Sequence, residues 1–312
     1  MLLPQSGRYA AAAQAVREGM LAAQAAAPKQ NRPQLRFYDT NDPEGVPNLL
    51  QQAAAAGATK AIGPLRKASV QALAQLSHLP IPTLALNHTD SAHPRANLYQ
   101  FALAPEEESR SVADAAWQAG HRRALILYPS GAWGQRMMRG FRQRWAQLGG
   151  QFAGEIAYAS PAALRISSDT AADFLFLIAT ADHAQQLVPR LRNIQLPLYS
   201  TSHALGNTTR AKPELAGLYI VEIPWLLHPG KHDALSLESL RRRVAFNPRY
   251  TRLYAMGIDA YQLLPKLSWM AAHPQAQISG KTGRLQLDSR RRVHRKLPLG
   301  RIDTTGRLIP AP

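Results

Sequence analysis

A few stretches of this sequence carry residue types at spacings that chemistry could use, and each can be held against what that chemistry needs. Gly280, Lys281 and Thr282 imitate the end of a phosphate-binding loop, where backbone N–H groups and a lysine hold phosphate oxygens. A true loop needs a glycine five positions earlier and a strand leading in; Gln275 stands at that place, so no nucleotide is expected. His228, His232 and Asp233 are candidate metal ligands, but they sit beside Pro229 and Gly230 in a loop-forming stretch. A His-x-x-x-His pair needs a helix to bring both rings to one face, so no metal is expected. His121, His203 and His294 have no companions at ligand spacing. There is no G-x-S-x-G elbow and no cysteine, which removes a serine-hydrolase motif, thiolate metal sites and cysteine nucleophiles. The sequence therefore points to no catalytic residue and no cofactor.

Charge is the other chemical resource. The 312 residues carry a formal net charge of +17, mostly from arginine. The clusters are Arg241 to Arg243, Arg290 to Arg292 with Arg295 and Lys296, and Arg136, Arg139, Arg142 and Arg144 along one helix. Such a balance favours acidic partners. Nucleic acid would call for aromatic residues between the cations or a known reading module; neither is present, and no nucleic acid is expected. The clusters equally suit a solvated basic face. As a functional surface, Arg136, Arg139, Arg290, Arg291 and Arg292 would form a docking patch for an acidic protein, raising the on-rate more than the final affinity.

These residues are positioned by alternating strands and helices. A strand is expected at 1–4, an alanine-rich helix over 9–27 and a strand at 34–38. Helices at 49–56 and 67–77 and a strand at 82–86 follow. The stretch 97–134 then reads as strand, helix, strand and helix entry. Pro105 suits a first helical turn, Glu106, Glu107 and Glu108 suit its positive end, and Gly120 ends the helix. The apolar run at 124–128 is that of a strand buried on both faces of a parallel sheet. A helix at 135–148 carries a core stripe of Met138, Phe141, Trp145 and Leu148. Strands at 152–158, 173–180 and 196–202 and a helix at 182–192 repeat the pattern. A long apolar strand is expected at 217–225. A helix over 250–272 is interrupted at Pro265, and a terminal hairpin joins 283–288 to 293–302. With this length the expectation is an α/β chain of two lobes, each a parallel sheet flanked by helices. Lobe 1 is expected at 1–100 plus 225–282, and lobe 2 at 101–224 plus 283–312. No apolar run reaches the roughly 20 residues that span a bilayer. The opening MLLPQSGRYA lacks a signal-peptide pattern, so any export signal or anchor would lie upstream or not exist.

Two βαβ lobes joined by several crossings resemble the type I periplasmic-binding-protein fold, and Gly63-Pro64-Leu65 and Trp133-Gly134-Gln135 resemble loops of that superfamily. Four segments give a narrower likeness: LLPQSGRYAAAAQAVREGM, PEEESRSVADAAWQAGHRRALILYP, RLYAMGIDAYQLLPKL and ISGKTGRLQLDSRRRVHRKLPLGRI. They resemble the C-terminal domain of LpoA-type penicillin-binding-protein activators, the last two segments being the most specific. The resemblance implies a non-catalytic regulator of peptidoglycan synthesis. It would act in the periplasm from an outer-membrane lipoprotein whose lipid anchor and N-terminal domain lie outside this sequence. Its partner would be a class A penicillin-binding protein, whose transpeptidase activity it stimulates. The sequence departs from the pattern at 159–172, where a full helix usually joins two strands, so the second lobe is expected to be trimmed there.

The same superfamily implies an alternative, a periplasmic receptor for an amino acid or similar small polar ligand. Ser6, Arg66, Lys67, Asn87, Thr89, Tyr99, Ser130, Trp133, Thr180 and Ser202 would then line the cleft. Solute-binding relatives offer a serine after Gly63-Pro64; here Arg66 and Lys67 stand there, and Ser69 falls inside the helix. The anchor for an amino-acid zwitterion is not intact, which counts against a small-molecule ligand.

Overall fold

Strand and helix alternate from the first residues. The computed structural model describes residues 1–91, 93–166, 170–206, 211–230, 233–244 and 247–311. The chain begins with β1 (Leu2–Leu3), α1 (Ala10–Ala26), β2 (Tyr38–Asp39), α2 (Val46–Ala55), β3 (Ala61–Ile62), α3 (Lys67–Ala74), β4 (Thr83–Ala85) and β5 (Leu98–Phe101). It continues through α4 (Pro105–Gln118), β6 (Arg123–Pro129), α5 (Ala132–Gln147), β7 (Gln151–Tyr158), β8 (Phe174–Leu177), α6 (Ala181–Leu191), β9 (Leu198–Thr201), β10 (Tyr219–Val221) and the short α7 (Pro224–Leu227). Then come α8 (Leu237–Arg241), α9 (Thr251–Leu263), α10 (Leu267–Ala272), β11 (Gln277–Ser279), β12 (Arg284–Leu287), β13 (Arg292–Lys296), β14 (Leu299–Ile302) and β15 (Leu308–Pro310).

Two compact units result: Met1–Leu103 with Gly230–Arg295, and Ala104–Pro229 with Lys296–Pro312. The division differs from the expected lobes at 101–103 and 225–229, which change sides, and most at the C-terminal end. The expected hairpin strand at 293–302 is broken at Leu297-Pro298, because proline cannot donate within a ladder. Its first half, β13, pairs parallel with β5, and its second half, β14, pairs antiparallel with β10. Residues 283–295 therefore belong with the first unit, not the second.

The first unit holds a six-stranded sheet in the order β11-β12-β13-β5-β4-β3, parallel from β13 to β3, and a two-stranded parallel pair, β1-β2. The expected strand at 34–38 reaches the ladder only at its last residue. One face of the unit packs Val16, Met20, Phe101, Met256 and Met270; another packs Val46, Leu50, Val70 and Leu73. Helices α1 and α9 cross closely. A Cβ on Gly19 would meet the Tyr254 carbonyl oxygen at 2.0 Å, and one on Gly257 would meet that of Val16 at 2.1 Å. Only glycine permits that separation. The interruption expected at Pro265 is a 3-10 turn between α9 and α10.

The second unit holds a seven-stranded sheet in the order β15-β14-β10-β9-β8-β6-β7, parallel from β10 to β7 with the antiparallel pair β14 and β15 on one edge. The expected strand at 217–225 is confined to Tyr219–Val221, since Pro224 starts α7 from its first turn. From α5, Phe141 and Trp145 are fully buried and pack with Phe174 and Phe176 of β8 as an aromatic cluster with centroids 4.7–6.3 Å apart. Between β7 and β8, the described residues hold a 3-10 turn at Pro161–Ala163 rather than a helix; 167–169 lie outside the described residues. Arg190 of α6 fastens this connection, donating to the carbonyls of Pro161 (2.5 Å) and Leu164 (3.1 Å).

Candidate functional site

Ligands of open α/β sheets bind beyond the C-terminal ends of the parallel strands. In the first unit those ends carry Ser6, Arg66, Lys67, Asn87 and Thr89. Each of the last four has a polar partner within the unit, that of Lys67 being an exposed ion pair. The Arg66 guanidinium donates to the Asn41 carbonyl at 2.6 Å and lies over the Tyr9 ring at 5.0 Å. Lys67, a cation at the positive end of α3, is offset by Asp90 at 2.7 Å. The Asn87 amide donates to the Leu65 carbonyl, while the Thr89 hydroxyl donates to Gln71 and its N–H to Gln100. Ser6 precedes a short 3-10 turn without capping it. Tyr99 is 4% exposed in the core of the unit, with the Arg291 guanidinium 5.0 Å from its ring centroid.

In the second unit, Ser130, Thr180 and Ser202 follow β6, β8 and β9. Ser130 and Thr180 are exposed, whereas Ser202 is buried. The Glu108 carboxylate accepts from the Ser202 N–H (2.9 Å) and hydroxyl (3.0 Å), and His203 Nδ1 lies 3.6 Å from it. Trp133 packs on the His203 ring, centroid to centroid 5.3 Å. Two expected site residues, Trp133 and Ser202, thus meet around His203. The arrangement is not a nucleophile with its base: Ser202 donates straight to the carboxylate, and His203 Nδ1 faces Glu108 and Thr201, not the serine hydroxyl. Glu108 was legible only as a carboxylate at a helix start. The missed signal is spacing, since Glu108, Val112 and Ala116 recur every four residues and put the carboxylate on the buried stripe.

Asp259 is the second carboxylate the residue types did not single out. It is fully buried on α9 and accepts from the Lys281 N–H (2.6 Å), the Thr282 N–H (2.7 Å) and the Thr282 hydroxyl (2.6 Å). Burial raises its carboxyl above the ordinary value, opposed by the hydrogen bonds from Thr282 and Lys281. The loop that imitates a phosphate binder is built to hold this carboxyl group of its own chain. It also joins two of the four segments that carry the family likeness, RLYAMGIDAY and ISGKTGRLQL.

The expected docking patch divides. Arg136 meets Glu106 at 2.6 Å, while Arg139 is exposed with no carboxylate at ion-pair distance among the described residues. Arg290 is exposed at a tight turn organised by Asp288, whose Oδ1 accepts from the N–H groups of Arg290 and Arg292. Arg292 is structural, its guanidinium donating to the carbonyls of Thr89 and Ser91. Burial alone would raise the Asp288 carboxyl; hydrogen bonds from His294, Arg292 and Arg290 outweigh it and hold the group below the ordinary range. No three His, Asp or Glu side chains among the described residues gather around a metal position; of the sequence candidates, His232 lies outside them. No helix among the described residues is long and apolar enough to cross a membrane.

Two α/β units with mostly parallel sheets and helices on their faces define a periplasmic-binding-protein-like protein. The chain belongs to the LppC putative lipoprotein family, whose profile matches residues 1–167 and 155–299. It is 30% identical to the penicillin-binding protein activator LpoA of Klebsiella pneumoniae over 89% of this chain and 45% of that protein. Among solved structures it resembles the LpoA (YraM) C-domain from Haemophilus influenzae, a regulator of PBP1A. The TM-score is 0.83 at 26% identity, covering 100% of this chain and 98% of that one. It also resembles a putative branched-chain amino acid ABC transporter protein from Chromobacterium violaceum, with a TM-score of 0.77 at 29% identity over 96% and 98% of the two chains. The chain spans about half the length of the curated activators it matches. The fold class and the narrower likeness expected from the sequence both hold.

Proposed function

We propose that this chain is the regulatory domain of a non-catalytic activator of peptidoglycan synthesis. In this reading it docks on a class A penicillin-binding protein in the periplasm and favours transpeptidation, while the longer protein is held to the outer membrane by a lipid anchor. The observation that carries the reading is a whole-chain likeness to proteins named as penicillin-binding-protein activators and as a regulator of PBP1A. An activator of this kind works by binding the active conformation of its partner more tightly than the inactive one.

The second reading, a solute receptor, is favoured by the full-length likeness to a transporter protein. Against it stand Arg66, Lys67, Asn87 and Thr89, which are engaged within their own unit. A thermal-shift screen of the common amino acids separates the two. A receptor gains about 2.7 kcal/mol when its ligand is at a hundredfold its dissociation constant. The activator reading predicts no shift with any of them, and a clear saturable shift would replace it with the receptor reading.

A further inference from the structure

The first unit contains a groove of about 690 Å³ formed by the segment after α1, the end of α2 with the entry to β3, and the turn after α9. It lies at the N-terminal ends of β1 and β3, away from the strand ends where the sequence expected a ligand. Its size falls within the range of small-molecule sites. Leu35, Tyr38, Tyr261 and Leu264 supply much of its apolar wall. Among the described residues, Arg36 and Lys60 are the charged side chains that line it, and no Asp or Glu does. The Arg36 guanidinium is steadied by one hydrogen bond to the Ala56 carbonyl at 3.2 Å. Lys60 is exposed and has no carboxylate at ion-pair distance among the described residues. A third cation, Arg32, is held by the carbonyls of Ala25 and Ala27 at 2.6 and 2.9 Å. It lies near enough to Tyr261 for its charge to oppose the upward pull of burial on that phenol. The helix ends beneath Arg32 and Arg36 carry only partial negative charge, so the mouth of the groove stays positive.

We propose that this groove binds a small anionic amphiphile, an apolar acyl or aromatic body with one carboxylate or sulfonate head set against Lys60 and Arg36. The apolar wall favours the body by removing it from water, and the cations select the head. The site does not depend on the activator reading, because it uses none of the partner-docking residues.

The test uses the whole chain and the fluorescent anion 1-anilinonaphthalene-8-sulfonate at 0.15 M salt. Saturable binding of one probe per chain is expected, displaced by dodecanoate if the body is acyl or by 2-naphthoate if it is aromatic. Dodecanol, which lacks the head group, should compete at least tenfold more weakly. Lys60→Glu should weaken the probe about tenfold, equivalent to 1.4 kcal/mol. Gln34→Trp, at another exposed lining position, should block the groove, and circular dichroism would confirm that both variants keep the native fold. Absence of saturable binding would overturn the proposal, as would affinity unchanged by Lys60→Glu or dodecanol competing as well as dodecanoate.

Discussion

In the second unit three of the four cations of α5 are answered by carboxylates: Arg136 by Glu106 at 2.6 Å, Arg144 by Asp114 at 2.7 Å and Arg142 by Glu155 at 3.4 Å. In the first unit many of them are answered by neutral groups. Arg32, Arg36, Arg66, Arg95 and Arg292 donate to backbone carbonyls, and Arg8, Arg17 and Arg291 lie over aromatic rings. A carbonyl or a ring orients a guanidinium without cancelling its charge. The sequence divides accordingly, with 22 Lys and Arg against 9 Asp and Glu in the first unit, and 15 against 11 in the second. A net +13 thus sits on one unit and +4 on the other. The lesson is that the same βα plan can carry a strong field or a weak one, depending on how many acids its sequence supplies, since carbonyl-bound arginines such as Arg190 and Arg192 occur in the second unit as well. Steering of an acidic partner should therefore be a property of the first unit.

The largest effect should come from the anchor that joins the family segments within the first unit. Asp259→Ala strands three donors in a buried site, so urea unfolding should show a loss of more than about 3 kcal/mol. A loss below about 1 kcal/mol would mean that water replaces the carboxylate. Gly257→Ala forces a methyl against the Val16 carbonyl and should cost about 1–3 kcal/mol by the same measurement. Comparison with Gly134→Ala in the second unit, where a Cβ would lie 2.0 Å from the Pro129 carbonyl oxygen, tests whether the close approach is equally strict there.

Smaller still is the acid-sensitive turn under Arg290. The Asp288 carboxyl is held below its unfolded value, so it adds stability above the ordinary carboxylate range and loses it as pH falls through the lowered value. Asp288→Asn should therefore destabilise at pH 7, with the gap to the parent closing in acid; a pH-independent gap would remove ionisation from the account. The last prediction concerns exposed charge. At low salt, Arg290→Ala should slow association with an acidic partner about twofold, whereas Arg136→Ala, whose charge Glu106 already answers, should change it less. A larger effect from Arg136→Ala would reverse the comparison between the units.

Much of this architecture was legible because apolar runs bounded by glycine and proline are local signals. The strand at 124–128, the core stripe of Phe141 and Trp145, and the break at Pro265 all appear as read. What was not legible depended on pairing across the chain. The split at Leu297-Pro298 sends two halves of one apparent strand to two sheets, and strand choice of that kind leaves no trace in local composition. Polar residues were harder again. Hydroxyls and amides at strand ends look alike whether they await a ligand or bond to a neighbouring loop. Thr89 and Asn87 do the latter, which only the fold reveals. Buried Glu108 and Asp259 were hidden for the opposite reason, being charged residues on apolar helix stripes.

The central claim is tested most directly by measuring binding of this chain to the periplasmic part of a class A penicillin-binding protein from the same organism. Ionic strength near 0.15 M keeps a chain of net charge +17 from binding by unscreened attraction alone. Saturable binding is expected, with an association rate that falls with added salt and responds to charge removal in the first unit. Absence of saturable binding, together with a thermal shift by an amino acid, would contradict it and establish a receptor instead.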